Sequence, residues 1–242
     1  MKLEQGQAQV WYAWTEKCRH PQLMDYYRSL LSADERERCE RFAFDYLKTE
    51  YLLTRALCRL TLSRYVPLPP QDWRFRRNDY GRPEIDLPGV ATGLRFNLSN
   101  ARSLVACVVT RDADAGVDVE ETQRGEEMLP IAAQYFAPPE LQDLSALAPA
   151  LQSRRFFQLW TLKEAYIKAR GMGLAIPLEQ FWFRLEQGRI GIGFDAALDD
   201  VAADWQFDYR EPAAGHAMAL AVRKGAAADF AVSWRETVPM PG

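Results

Sequence analysis

An α+β fold made of two similar halves is predicted by three features of the sequence. Helix-patterned segments give way to strand-patterned ones, and this order occurs twice along the chain. The changeover between the two runs falls near Asp112–Ala115. At 242 residues, 48% apolar and 26% charged, the chain has the size for two small packed units and an ordinary globular composition. The expected division is 1–112 and 113–242.

The first run reads as helical over 23–66, interrupted near Leu31-Ser32. Ser32 followed by Glu35 has the capping-box spacing, which marks a helix start. From Lys48 to Tyr65, the residues Leu52, Leu53, Ala56, Leu57 and Leu60 recur at helical spacing, and Pro67, Pro69 and Pro70 end the pattern. Trp73–Arg76 alternates like a strand, Asn78–Pro83 reads as a turn, and Leu94–Leu98 and Ser103–Thr110 are short β runs. Gly116–Glu120 alternates apolar and acidic residues, so Asp118 and Glu120 share one side of a strand. Met128–Phe136 reads as a loop or short helix, with a break at Pro138-Pro139. Arg154–Arg170 reads as a long helix closed by Gly171. The last 65 residues alternate short strands with turns, among them Phe181–Leu185, Arg189–Phe194 and His216–Val222.

Several function classes are excluded early. A net charge of −3 does not suit a general nucleic-acid binder, which needs a basic excess. No run of 18 apolar residues occurs, so no membrane-spanning helix is expected, and the N-terminus has no signal-like apolar stretch. Cys18, Cys39, Cys58 and Cys107 form no C-x-x-C pair, which argues for core thiols over a zinc or redox site. Only His20 and His216 are available for histidine chemistry. The expected location is the cytoplasm, and carboxylates, lysines and arginines must carry any catalysis.

Asp118, Glu120 and Glu164 are the acids in question. Oxygen ligands without histidine or cysteine suit a hard cation such as Mg²⁺, which takes substrate phosphates as further ligands. Two other readings stand beside this one: strand-end acids facing solvent, and a plain i,i+4 helix pair of Glu164 with Lys168.

Gly116-Val117-Asp118-Val119-Glu120 resembles the first signature of the 4′-phosphopantetheinyl transferases, G-[IV]-D-[IV]-E. Trp160-Thr161-Leu162-Lys163-Glu164-Ala165-Tyr166-Ile167-Lys168 resembles the second, W-[ST]-x-K-E-[SA]-x-x-K. Phe96-Asn97-Leu98-Ser99 is similar to the family's F-N-[IL]-S segment, Gly81-Arg82-Pro83 to its G-[KR]-P turn, and Arg38–Phe42 to its basic helix. The resemblance runs from about Leu31 to Leu185, in order. The length fits the larger, monomeric class that activates peptide and polyketide synthases (the Sfp type).

The resemblance implies a pseudo-dimeric fold with the active site between the halves. It implies transfer of the phosphopantetheine arm of coenzyme A to a serine of an apo acyl or peptidyl carrier protein. Asp118, Glu120 and Glu164 would hold Mg²⁺ against the diphosphate, with Glu164 or a water beside it as base and Lys168 on a phosphate oxygen. Gly81, Arg82 and Pro83 would lie along the adenine and 3′-phosphate, Ser99 would touch the phosphates, Arg38 would be the clearer phosphate partner of the basic helix, and Lys163 would support the phosphate-facing cluster. Asn100 stands where many relatives have histidine; it still donates a hydrogen bond but supplies no charge. The alternatives of another class are a non-catalytic coenzyme A-binding regulator and a metal-dependent phosphohydrolase.

Overall fold

Two long helices, each laid on its own sheet, organise the chain. The computed structural model describes residues 1–123, 128–186 and 188–240. The first half comprises β1 (Gln7–Trp14), α1 (Pro21–Leu30), α2 (Ala33–Glu40), α3 (Asp45–Ser63), β2 (Phe75–Arg77), β3 (Pro83–Ile85), β4 (Leu94–Ala101) and β5 (Leu104–Arg111). The second comprises β6 (Ala115–Glu121), α4 (Met128–Tyr135), α5 (Pro138–Ala146), α6 (Pro149–Arg170), β7 (Phe181–Glu186), β8 (Arg189–Phe194), β9 (Trp205–Arg210), β10 (His216–Arg223) and β11 (Ala231–Glu236).

Helix α3 packs on the sheet ordered β11-β1-β5-β4, and α6 packs on the sheet ordered β6-β10-β9. Leu53, Leu57, Trp11, Cys107 and Val109 form the first core. Leu162, Ala165, Tyr166, Ala217, Ala219 and Phe181 form the second. A third apolar layer, including Val10, Ala106, Val108, Val117, Val119 and Leu220, lies between the sheets and joins the halves. The order of layers is therefore helix, sheet, sheet, helix. Burying apolar area on both faces of each sheet is what holds the halves together.

The seam has a polar stitch as well. One edge of β6 pairs with β10; at the other, the Val117 amide donates to Asn97 Oδ1 (3.1 Å) and the Val119 amide to Ser99 Oγ (3.2 Å). Side chains of β4 thus satisfy buried amides that no strand reaches.

The helical run over 23–66, expected to be interrupted near Leu31-Ser32, is three helices. The break after Leu31 comes with a complete capping box: the Glu35 amide donates to Ser32 Oγ, and the Ser32 amide donates to Glu35 Oε2. A second break falls between Glu40 and Asp45. Pro138 opens α5 instead of ending structure, because proline is tolerated in a first helical turn. α6 starts five residues before Arg154 and ends as expected, with Gly171 in the left-handed region at φ +66°.

Strands β1, β3, β9 and β11 were not individually anticipated, and β1 and β11 pair in parallel. That pairing crosses the expected division at residue 112, since β11 lies at the end of the second segment yet completes the first half's sheet. Among the described residues, no helix is long and apolar enough to cross a membrane. The four cysteines are buried free thiols.

Candidate functional site

The site forms where α6 lies against β6. Gly116 lets the two touch: a Cβ there would stand 2.1 Å from the Ala165 carbonyl oxygen and 2.4 Å from the Ala169 amide nitrogen. Four helical residues advance about 6 Å and two strand residues about 6.6 Å. Trp160, Glu164 and Lys168 therefore step along α6 in register with Glu120, Asp118 and Gly116.

Asp118 is the centre of this ladder. Its Oδ1 accepts from Ser99 Oγ (2.9 Å) and from Lys168 Nζ (2.6 Å), and Lys168 Nζ also donates to Ser99 Oγ (2.8 Å). Its other oxygen, Oδ2, is buried without a hydrogen-bond partner among the described residues. A carboxylate oxygen left dry and unpaired is costly, and a cation is the natural remedy. Burial and then the Asp118 charge push the Glu164 carboxyl above the ordinary range, while Lys168 pulls it part of the way back. Glu120 Oε1 accepts from the Trp160 indole at 3.2 Å.

The donor set fits a hard divalent cation at Asp118 and Glu164, two carboxylates close enough to repel. Glu120 lies further along the same strand face, and among the described residues no three acids are gathered into a tight ligand group. Lys168 shares the pocket with the acids, so the pocket presents a positive charge beside the carboxylates.

A cleft of about 270 Å³ opens beside the ladder, lined by Gly81, Arg82, Pro83, Leu98, Glu164 and Lys168. Past Pro83 and Leu98 it continues into a cavity of about 330 Å³ lined by Arg38, Tyr51, Arg55 and Asn100. Beyond lies a basic groove of about 550 Å³ with Arg38, Arg55, Arg74, Arg76 and Arg77. The acids and Lys168 thus sit at one end, the arginines at the other, and the Gly81–Pro83 turn between them.

Four expected residues already hold partners within the chain. Lys163 points away from the site, fully buried, donating to the Leu178 and Phe181 carbonyls (2.8 and 2.6 Å) and paired with Glu140 at 2.7 Å. It is one residue from Glu164 but a quarter-turn and more around the helix, so it does not reach the phosphate-facing cluster. Arg82 is committed within the chain, to the Ala169 carbonyl (3.0 Å) and to Asp114 Oδ1 (3.1 Å). Ser99 is also fully engaged and buried, orienting Asp118 and Lys168. Asn100 donates to the buried carboxylate of Glu50.

Asn97, Trp160, Glu50, Arg55 and Asn78 were not among the expected site residues. Trp160 and Asn97 stand inside the quoted signatures, which was their only signal. Asn78 opens the turn read over Asn78–Pro83, and nothing local marks Glu50 or Arg55.

A family model described as 4′-phosphopantetheinyl transferase superfamily matches residues 114–221, and one described as 4′-phosphopantetheinyl transferase, N-terminal, matches residues 14–111. The 4′-phosphopantetheinyl transferase Sfp of Bacillus subtilis (strain 168) is 36% identical over 168 residues, covering 69% of this chain and 72% of its own. A 4′-phosphopantetheinyl transferase of Bacillus pumilus is 32% identical over 205 residues, covering 84% and 83%. A phosphopantetheinyl transferase of Thraustochytrium sp. is 31% identical over 222 residues, covering 85% and 75%.

Proposed function

This chain belongs to the 4′-phosphopantetheinyl transferase superfamily, as a transferase of the Sfp type that moves phosphopantetheine onto carrier proteins, and we propose that it uses the Asp118–Glu164–Lys168 cluster for that transfer with coenzyme A as donor. The observation that carries the assignment is Asp118 itself: its Oδ2 is buried and unpartnered among the described residues, its Oδ1 is bonded to Lys168, and its charge acts on the Glu164 carboxyl. Coenzyme A would lie along the cleft with its diphosphate at Lys168 and its nucleotide toward Arg38, Arg55 and Asn100.

Asp118 and Glu164 are the residues that would hold Mg²⁺; Glu120, further along the strand face, is the third acid that the resemblance implies. When bound there, the ion supplies charge neutralisation on the diphosphate and stabilises the departing adenosine 3′,5′-bisphosphate. Lys168 places a positive charge where negative charge grows, which favours the transition state over bound substrate. Ser99 keeps that lysine and Asp118 aligned. Glu164 takes the proton of the carrier serine as its oxygen bonds to phosphorus and the bond to the nucleotide's phosphate breaks.

The same reading assigns an apo acyl or peptidyl carrier domain as the acceptor, a monomeric enzyme and a cytoplasmic location. A magnesium titration tests the site assignment. The rate of carrier modification should saturate with Mg²⁺ in the wild type, and Asp118→Ala and Glu164→Ala should abolish most transfer while remaining folded. Wild-type-like turnover of both variants at limiting Mg²⁺ would sink it.

A further inference from the structure

The C-terminus of α6 is finished by side chains from the other half of the molecule. A helix leaves its last carbonyls without intrahelical partners. Here the Ala169 carbonyl accepts from Arg82 Nη1 at 3.0 Å, and the Gly171 carbonyl accepts from Asn78 Nδ2 at 2.9 Å. Both donors belong to the turn before β3, which lines the cofactor cleft.

That turn is built to hold them still. The Asn78 amide donates to the Arg82 carbonyl (3.0 Å), Asn78 Oδ1 accepts from the amides of Tyr80 (3.0 Å) and Arg82 (2.9 Å), and Gly81 takes φ +86°. The Asn78 side chain therefore has its oxygen locked inside the turn and its nitrogen aimed at Gly171. Arg82 Nη2 meets Asp114 Oδ1 at 3.1 Å, in the link between the halves. A Cβ at position 171 would lie 2.7 Å from Arg82 Nη1, so only glycine admits the guanidinium against the helix end. A cation at this end also complements the helix dipole.

We propose that Asn78 and Arg82 are positioning residues that cap α6 from the cofactor turn and so hold Lys168 in register with Asp118. Lys168 stands in the last turn of α6, one residue before Ala169, and its ammonium reaches Ser99 and Asp118 at 2.8 and 2.6 Å. Unpinned, the terminal turn of a helix is the first part to open. The two caps place the lysine and the cofactor turn on one rigid piece. This differs from the role the resemblance implied for Arg82, because its charge is spent on the helix and the link, not on the nucleotide. The inference rests on the transferase reading.

A double-mutant cycle between Arg82 and Lys168 tests it, using the full chain, an apo-carrier protein and Mg²⁺, with turnover counted per coenzyme A-binding site. Arg82→Ala should lose about tenfold or more in turnover, the scale of a misplaced catalytic group. Its preference for coenzyme A over 3′-dephospho-coenzyme A should be unchanged. Arg82→Ala with Lys168→Ala should be no slower than Lys168→Ala alone, because the strut acts through the lysine. Asn78→Ala, a milder lesion, should show the same non-additivity and carries the cycle if the arginine variant does not fold. Additive losses, or a selective loss on coenzyme A, would overturn the proposal. A wild type that fails to transfer sinks the transferase reading, and this inference with it; a competent wild type with additive variants sinks the inference alone.

Discussion

Gly116→Ala puts the contact between β6 and α6 to a sharp test. The added Cβ would meet the Ala165 carbonyl at 2.1 Å and the Ala169 amide at 2.4 Å, both backbone atoms of a helix that cannot swing aside. Restoring an ordinary 3.4 Å contact requires the helix to retreat by about 1.3 Å. A retreat of that size stretches the 2.6 Å bond from Lys168 to Asp118 to about 3.9 Å, beyond hydrogen-bond reach. Misplacement on this scale is worth about 100-fold in rate, and overpacking about 1–3 kcal/mol in stability. For a chain this long the melting temperature should fall by about 2–12 °C. Gly191→Ala is the control, since nothing lies within 4 Å of a Cβ there and the backbone is not left-handed. The assay is carrier modification followed by intact mass, beside a thermal melt. Wild-type turnover and melting for Gly116→Ala would refute the close-packing argument.

Other outcomes follow from the same geometry. Lys163→Met should cost about 3–5 kcal/mol by stranding the Glu140 carboxylate in the core, and adding Glu140→Gln should recover part of it; denaturant melts read both, while turnover per folded enzyme stays near wild type. Lys168→Ala should slow turnover about 10- to 100-fold, the scale of a lost charge-assisted bond, with a smaller effect on coenzyme A affinity; steady-state kinetics beside a binding titration separates the two. Asp200 should set an acid limit on stability. Burial opposes its ionisation, but bonds from the Trp205 indole, the Tyr166 hydroxyl, the Val201 amide and Arg170 prevail and hold its carboxyl below the ordinary 3.8. Because the folded value is depressed, the stabilisation is complete above pH 3.8 and fades as pH falls through the lower folded value. Melting curves of wild type and Asp200→Asn should therefore differ by a constant amount at neutral pH and converge only in strong acid.

How much of this was legible in the sequence depended on how local each cause is. The start of α2 could be read because Ser32 and Glu35 cap it within four residues, and the end of α6 because Gly171 supplies the left-handed turn. β1 gave no alternation, since Ala8 and Val10 face the layer between the sheets while Trp11 and Ala13 face the core under α3. A strand buried on both faces loses its period-two signal. Its pairing with β11 joins the two ends of the chain, which no local pattern encodes. In the site, Asp118, Glu120, Glu164 and Lys168 share a face by spacing that the sequence displays. Lys163 was misassigned by proximity to Glu164; its partner Glu140 sits on α5 with no mark to link them. Asn78 and Arg82 cap carbonyls 93 and 87 residues away, so their role emerges only from the fold.

The central claim, that the pocket around Asp118 transfers a phosphopantetheine arm, meets its most direct test in one mass measurement. An apo-carrier protein is incubated with coenzyme A and Mg²⁺, with the wild type and Asp118→Ala run side by side, and its intact mass is followed over time. The account predicts that the wild type adds one phosphopantetheine arm to the carrier serine, that chelating the magnesium stops the gain, and that Asp118→Ala adds almost none. An unchanged carrier mass with the wild type, or equal rates for the two enzymes, would contradict it.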